Sequence, residues 1–436
     1  MIIAYIKKNR SLIFFLFCFV FGLSLYANSV YFVTDPGLYK YYPPFIDGVN
    51  IRDNLHLGAE NYFIAEAIVA GKGFSNPFQV ETGPTAWMPP LYPFLQALLL
   101  FILKSKFLVG AIIIFLKNIA LILTGIIVFE ISKKTSGRLS PHWALLLYIL
   151  LITINFRWYF QMTHDSWLLL SIMCFIYPFA VFINSHHINL RTAIAWGVLG
   201  GISILASPIL GLVWLTTCLT SLFSNKNLKL LTLSMTLFFI ICSPWVIRNH
   251  VVFNKIIFIK SNLFHDLYYF NYKTDDGLVH EEFELLCLAW TAKNRPDCLY
   301  RKLGEVKFIN KYKEYFFESF NRDPLRFFKN VKNRAISALF MLYPHGRYET
   351  FSIWKSILHF SSFLAIPVIL LLRQRRKSAY MDIAMLTIIV YLAPYIAVSY
   401  YIRYSIPLLP VKVLLTFWGL DLICQLSKQK KQTYLP

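Results

Sequence analysis

The 436-residue chain is 57% hydrophobic and 17% aromatic, with only 15% charged residues and a mean hydropathy of +0.54, a balance that excludes an ordinary soluble domain. Its formal charge of +21 would suit a nucleic-acid binder. The basic residues, however, fall in short gaps between apolar runs, which is the positive-inside pattern of a membrane protein.

Lys7, Lys8 and Arg10 precede the first apolar run, 11–33. A cleavage site ending at Ala27 would want a small residue two positions earlier, where Leu25 stands, so the run reads as a retained signal anchor. The run 91–103 is too short for a hydrocarbon core of roughly 30 Å, which takes about 20 helical residues. If it crossed, Lys133, Lys134 and Arg138 would face outside and every later basic gap would be inverted; it therefore reads as a re-entrant or interfacial helix. Ten spans remain, at 11–33, 108–131, 141–157, 166–183, 191–206, 208–223, 229–247, 353–372, 380–398 and 405–425. The basic gaps, including the one with Arg373, Arg375, Arg376 and Lys377, are then cytoplasmic, as are both termini.

The expected fold is an all-α polytopic membrane protein in three parts: an N-terminal transmembrane module, 1–247, that includes a first outer loop, 34–107; an extracytoplasmic segment of mostly short helices, 248–352; and C-terminal transmembrane helices, 353–436. Nearly all acidic residues lie in the outer segments, and the spans hold few ionisable groups, so the chemistry is expected outside. In 300–342, Phe308, Tyr312, Tyr315, Phe316 and Phe320 recur at helical spacing, with Pro324 as a break or first-turn residue. These rings read as packing and interface anchors rather than as sugar-stacking surfaces.

Five cysteines, Cys18, Cys174, Cys218, Cys242 and Cys424, fall in apolar runs as small hydrophobes. Cys287 and Cys298 share an outer polar segment and are open to a disulfide or to two free thiols. His280-Glu281-Glu282 lacks a second His or Cys cluster and reads as a solvated acidic turn rather than a metal site. There is no zinc motif, and no Gly-rich loop suggesting direct use of a nucleotide sugar.

The first loop carries Gly58-Ala59-Glu60-Asn61-Tyr62-Phe63-Ile64-Ala65, then Gly71-Lys72-Gly73-Phe74-Ser75-Asn76-Pro77-Phe78, then Thr82-Gly83-Pro84-Thr85-Ala86-Trp87-Met88-Pro89-Pro90-Leu91-Tyr92-Pro93. This resembles the family 39 glycosyltransferases of the GT-C superfamily, the group containing protein O-mannosyltransferases and lipid A aminoarabinose transferases. Ser243-Pro244-Trp245-Val246-Ile247-Arg248-Asn249 is similar to a Pro-Trp-x-x-Arg-Asn element of bacterial members. Gly304-Glu305, Asp323-Pro324 and Arg403-Tyr404 match looser patterns.

The resemblance implies a GT-C-like bundle in a bacterial inner membrane, with its site facing the periplasm or cell exterior and a sugar passing from a polyprenyl-phosphate donor to a lipid, glycan or protein acceptor. A carboxylate acting as general base would give inversion by single displacement. Glu60 is the favoured base, but Ala59 stands where many relatives have the Asp of an Asp-Glu pair, so Asp53 competes. Asp165 either binds or orients substrate or N-caps the helix starting at Ser166. Arg248, Lys255 and Arg403, each just outside a span, are candidates for the donor phosphate, with membrane snorkelling as the alternative. No cofactor is required; a divalent cation bridging Asp53 or Glu60 to the phosphate is compatible. The rival functions are a glycan flippase or transporter, which would carry polar groups at the midplane, and a polysaccharide polymerase or ligase.

Overall fold

The computed structural model describes residues 9–33, 57–78, 81–161, 164–224, 228–278, 299–340, 353–372 and 378–433. Within them the helices are, in chain order, α1 (Arg10–Val33), α2 (Ala59–Val69), α3 (Leu91–Leu103), α4 (Lys106–Thr135), α5 (Pro141–Ile154), α6 (Ser166–Ser185), α7 (Leu190–Ala206), α8 (Pro208–Ser224), α9 (Leu228–Phe253), α10 (Leu263–Tyr268), α11 (Leu299–Arg322), α12 (Pro324–Phe340), α13 (Ile353–Leu372), α14 (Ala379–Val398) and α15 (Leu409–Thr433). A π-helical turn, Arg157–Gln161, precedes α6, another, Tyr269–Lys273, follows α10, and a 3₁₀ stretch, Ile402–Leu408, leads into α15. Among the described residues no strand forms, and extended backbone pairs only at an isolated bridge between Ser75 and Pro84.

Each of the ten expected spans is a helix, and seven helices among the described residues are long and apolar enough to cross a membrane: α1, α4, α6, α9, α13, α14 and the 3₁₀ stretch with α15. The other three, α5 with 14 residues and α7 and α8 with 17 each, are roughly 21 to 26 Å long at 1.5 Å per residue, short of the roughly 30 Å core. The 91–103 run is its own 13-residue helix, α3. It buries Tyr92, Pro93, Gln96 and Ala97 and exposes Phe94, Leu98, Phe101 and Ile102, the one-sided pattern of a helix lying against lipid. Pro324 opens α12, where its missing N–H costs no helical hydrogen bond.

Local chemistry sets several boundaries. Asn189 caps α7 in a reciprocal box, accepting from the Thr192 N–H at 3.0 Å while the Thr192 hydroxyl accepts from the Asn189 N–H at 2.9 Å. Pro141 follows the Ser140 cap at the start of α5.

Lipid supplies no hydrophobic drive between helices, so close approach has to come from small residues. Along α7, Cβ atoms added at Gly197 and Gly200 would lie 2.6 Å from the Ser234 carbonyl oxygen of α9 and 2.3 Å from the Trp214 ring of α8. Trp214 stacks on Phe238 at 4.8 Å and donates its indole N–H to the Trp196 carbonyl at 2.9 Å. At one end of the bundle the buried Asp421 of α15 accepts the backbone N–H groups of Gly137, Arg138 and Leu139 at 2.8, 2.7 and 2.7 Å, locking the α4–α5 turn. At the other, buried Arg334 of α12 donates to the Ile396 and Ala397 carbonyls, the Phe270 and Gly277 carbonyls and Asn271 Oδ1, tying the outer helices to the end of α14.

The glycine stripe is testable. Gly197→Ala meets backbone that cannot rotate away, so α7 and α9 must separate, at about 1–3 kcal/mol for overpacking. The variant is expected to melt at lower temperature in detergent, and an unchanged melting temperature would contradict this packing.

Candidate functional site

The first loop is held from two sides. Phe74 and Thr85 flank the Ser75–Pro84 bridge, with the Thr85 N–H donating to the Phe74 carbonyl at 3.1 Å, and Asn76 Oδ1 receives the N–H groups of Thr82 and Gly83 at 2.9 Å each. From α11 comes Glu305, only 5% exposed, set just after a helix break at Gly304, whose φ is +70°. Its carboxylate accepts the Thr85 hydroxyl at 2.5 Å, the Ala86 N–H at 2.9 Å and the Tyr300 hydroxyl at 2.6 Å. Burial, with this carboxylate beside it, pushes the Tyr300 hydroxyl well above its ordinary pKa and keeps it a donor. From α9 comes Arg248, donating to the Thr85 and Phe74 carbonyls at 2.7 Å each and to Asn249 Oδ1 at 2.9 Å, with Trp245 5.0 Å from its guanidinium.

Arg248 thus works as a loop anchor, with Glu305 as its electrostatic neighbour. Lys255, just past α9, is exposed. Asp53, Cys287, Cys298 and the His280-Glu281-Glu282 turn lie outside the described residues.

Glu60 and Asp165 both act electrostatically on Arg403, without a salt bridge to it. Glu60 sits half-buried in the first turn of α2, after Gly58, whose φ of +77° favours glycine and where an added Cβ would lie 2.8 Å from Asn61 Nδ2. Asp165 occupies the position before α6, yet its carboxylate does not cap the helix. It is turned to His164, with Oδ1 2.6 Å from Nδ1. Burial works to raise the Asp165 pKa, but His164, Arg403 and Lys260 together bring it below the ordinary carboxylate value.

Arg403 is within electrostatic reach of both Asp165 and Glu60. Its guanidinium lies 4.5 Å from the Tyr401 ring centroid and 5.4 Å from that of Tyr404, and Tyr404 stacks on Tyr395 at 4.0 Å. Its Nε is buried with no hydrogen-bond partner among the described residues. Below it, the buried Lys412 donates to Ser405 Oγ at 3.2 Å, and Ser405 shares a 2.6 Å hydrogen bond with the Tyr400 hydroxyl, fixing the 3₁₀ stretch that carries Arg403.

Asp266 completes the group. Burial, with Tyr404, Asp266 and Glu60 nearby, pushes the Tyr401 hydroxyl well above its ordinary value. The Asp266 carboxylate lies 3.1 Å from His265 Nδ1, and the His265 ring packs on Trp87 at 5.2 Å, so α10 connects the anchored loop to the charged group. Sequence reading did not select Lys260, Asp266 or Glu305 as site residues. Adjacent His-Asp pairs, 164–165 and 265–266, each within one outer segment, were the available signal.

The arrangement can hold an anion beside Arg403 and Lys260 while a carboxylate within the same field takes a proton. The described residues form an all-α protein with helices long and apolar enough to cross a membrane several times. No family model, curated protein or solved structure matches the chain.

The folded Asp165 pKa lies below its unfolded value, so Asp165 adds stability above an ordinary value of about 4 and loses it as pH falls through the lower folded value. Asp165→Asn is therefore expected to flatten the acid side of a melting-temperature profile between about pH 7 and 3. Parallel acid limbs in the two proteins would contradict the assigned charge environment.

Proposed function

We propose that this protein is a membrane glycosyltransferase of the GT-C type, moving a sugar from a polyprenyl-phosphate carrier to an acceptor outside the cytoplasmic membrane. On this reading the bundle has ten spans, both termini are cytoplasmic, and the Glu60–Asp165–Arg403 group faces outward. The observation that carries it is that two carboxylates far apart in sequence, Glu60 and Asp165, both act electrostatically on one tyrosine-flanked guanidinium.

Each group has a role in such a transfer. Glu60 takes the proton of the acceptor hydroxyl as that oxygen bonds to the anomeric carbon. The bond from that carbon to the phosphate oxygen breaks, and its electron pair leaves with the carrier phosphate. Arg403, with an unpartnered Nε in place beforehand, and Lys260 neutralise that developing charge without reorganisation at the moment of transfer. Asp165 keeps Arg403 oriented. Arg248 and Glu305 hold the first loop so that α2 presents Glu60.

One observation favours a second reading, a carrier of lipid-linked glycans. Lys117 and Lys412 are buried within apolar helices, where ionisable groups often mark a transport path. Both are engaged locally, however, Lys117 with the Phe160 carbonyl at 2.7 Å and Lys412 with Ser405, which suits structural roles.

The test is release of polyprenyl phosphate from a sugar-loaded carrier by the purified protein supplied with envelope extracts as acceptor. Glu60→Gln is expected to lower release by at least about 100-fold, the lower range for a general base, while donor binding stays measurable. Wild-type release by the variant would remove Glu60 from the role, and carrier movement across vesicles without any release would favour the transporter.

A further inference from the structure

At the bundle end that carries Lys133, α1 separates from α4 and α5. Higher up, the three pack closely: Asn118 donates to Ser24 Oγ at 3.0 Å, and the Leu16 side chain of α1 and the Tyr148 ring of α5 lie 3.0 and 3.1 Å from where a Cβ on Gly125 of α4 would stand. Lower down, a groove of about 600 Å³ opens, its walls formed by Leu12, Phe15, Phe129, Leu145, Leu146 and Ile149. Phe15 and Leu146 are 46% and 42% exposed, so the groove is open along its side. At its mouth stand the exposed Lys133, in the last turn of α4, and His142, in the first turn of α5. The His142 ring is fixed by an Nδ1 contact to Ser140 Oγ at 2.8 Å and by an edge contact to Phe129 at 5.4 Å, which leaves Nε2 to the mouth.

We propose that this groove seats one anionic phospholipid, with its phosphate at Lys133 and His142 and an acyl chain against the apolar walls. Three observations converge on a lipid. The walls belong to helices apolar enough to cross a membrane or nearly so, and the groove opens sideways, where hydrocarbon lies. The polar groups are confined to one end, as a headgroup requires. The charge at that end is cationic and continues in Lys134 and Arg138, which favours an anionic headgroup over a zwitterionic one. The seated lipid closes the gap between α1 and the rest of the bundle. This site is separate from the Glu60–Asp165–Arg403 group and does not depend on what that group does.

The experiment is native mass spectrometry of the full-length protein exchanged into micelles containing equal phosphatidylglycerol and phosphatidylcholine of matched chains. One phosphatidylglycerol is expected to be retained in preference. Lys133→Ala should lower that retention roughly fivefold, the value of one cation near an anionic surface, whereas Lys134→Ala, the same charge change outside the groove, should leave most of it. Leu146→Trp, which fills the groove with both mouth residues intact, should also displace the lipid, with the melting temperature confirming that the variant is folded. Equal retention of the two lipids, equal losses in the two lysine variants, or full retention in a folded Leu146→Trp protein would each overturn the assignment.

Discussion

A guanidinium at the end of an apolar bundle needs counter-charge, and the placement of Arg403 organises the site around that need. Its carboxylate neighbours come from opposite sides in sequence, Glu60 from the first loop and Asp165 from the turn before α6. Neither carboxylate forms a salt bridge with it; tyrosine rings flank the cation, so water screens their mutual field less than it would in the open. This shared field links the first loop, the turn before α6 and the 3₁₀ stretch leading into α15.

The parts around that unit serve to hold it still. Lys412, Ser405 and Tyr400 brace the 3₁₀ stretch from inside the bundle. Glu305 and Arg248 grip opposite elements of the same loop, one through a side chain and an N–H donor, the other through carbonyl acceptors. That division follows from chemistry: a carboxylate can only accept and a guanidinium can only donate, so between them they satisfy both kinds of backbone group in a buried loop. The aromatic packing of Trp87, Tyr300 and Phe308 then excludes water from the anchor, which strengthens each of these bonds.

Much of the fold was legible in the sequence because apolar run length and basic gaps are local signals. The apolar runs, 91–103 among them, all form helices, and α3 has the short length that its run predicted. Pro324 sits where a proline costs least. Side-chain partnerships were less legible, since they depend on residues distant in sequence. Asp165 had the position of an N-cap, but His164 holds its carboxylate elsewhere. Arg248 was a phosphate candidate for its place near a span end, with snorkelling as the alternative; its contacts with carbonyls more than 160 residues earlier were not legible. The apolar spans were expected to hold few ionisable groups; Lys117 and Lys412 are hidden there because each finds an oxygen contributed by a neighbouring stretch of chain.

On the proposed function, one carboxylate with the cations Arg403 and Lys260 suffices for transfer, with no covalent sugar on the protein. A single displacement leaves a stereochemical record. The decisive measurement is the anomeric configuration of the sugar in donor and product by NMR, using purified protein and a polyprenyl-phosphate donor of defined anomer. The account predicts inversion at the anomeric carbon. A product with retained configuration would contradict it, because retention requires a second displacement and a nucleophile that this arrangement does not assign.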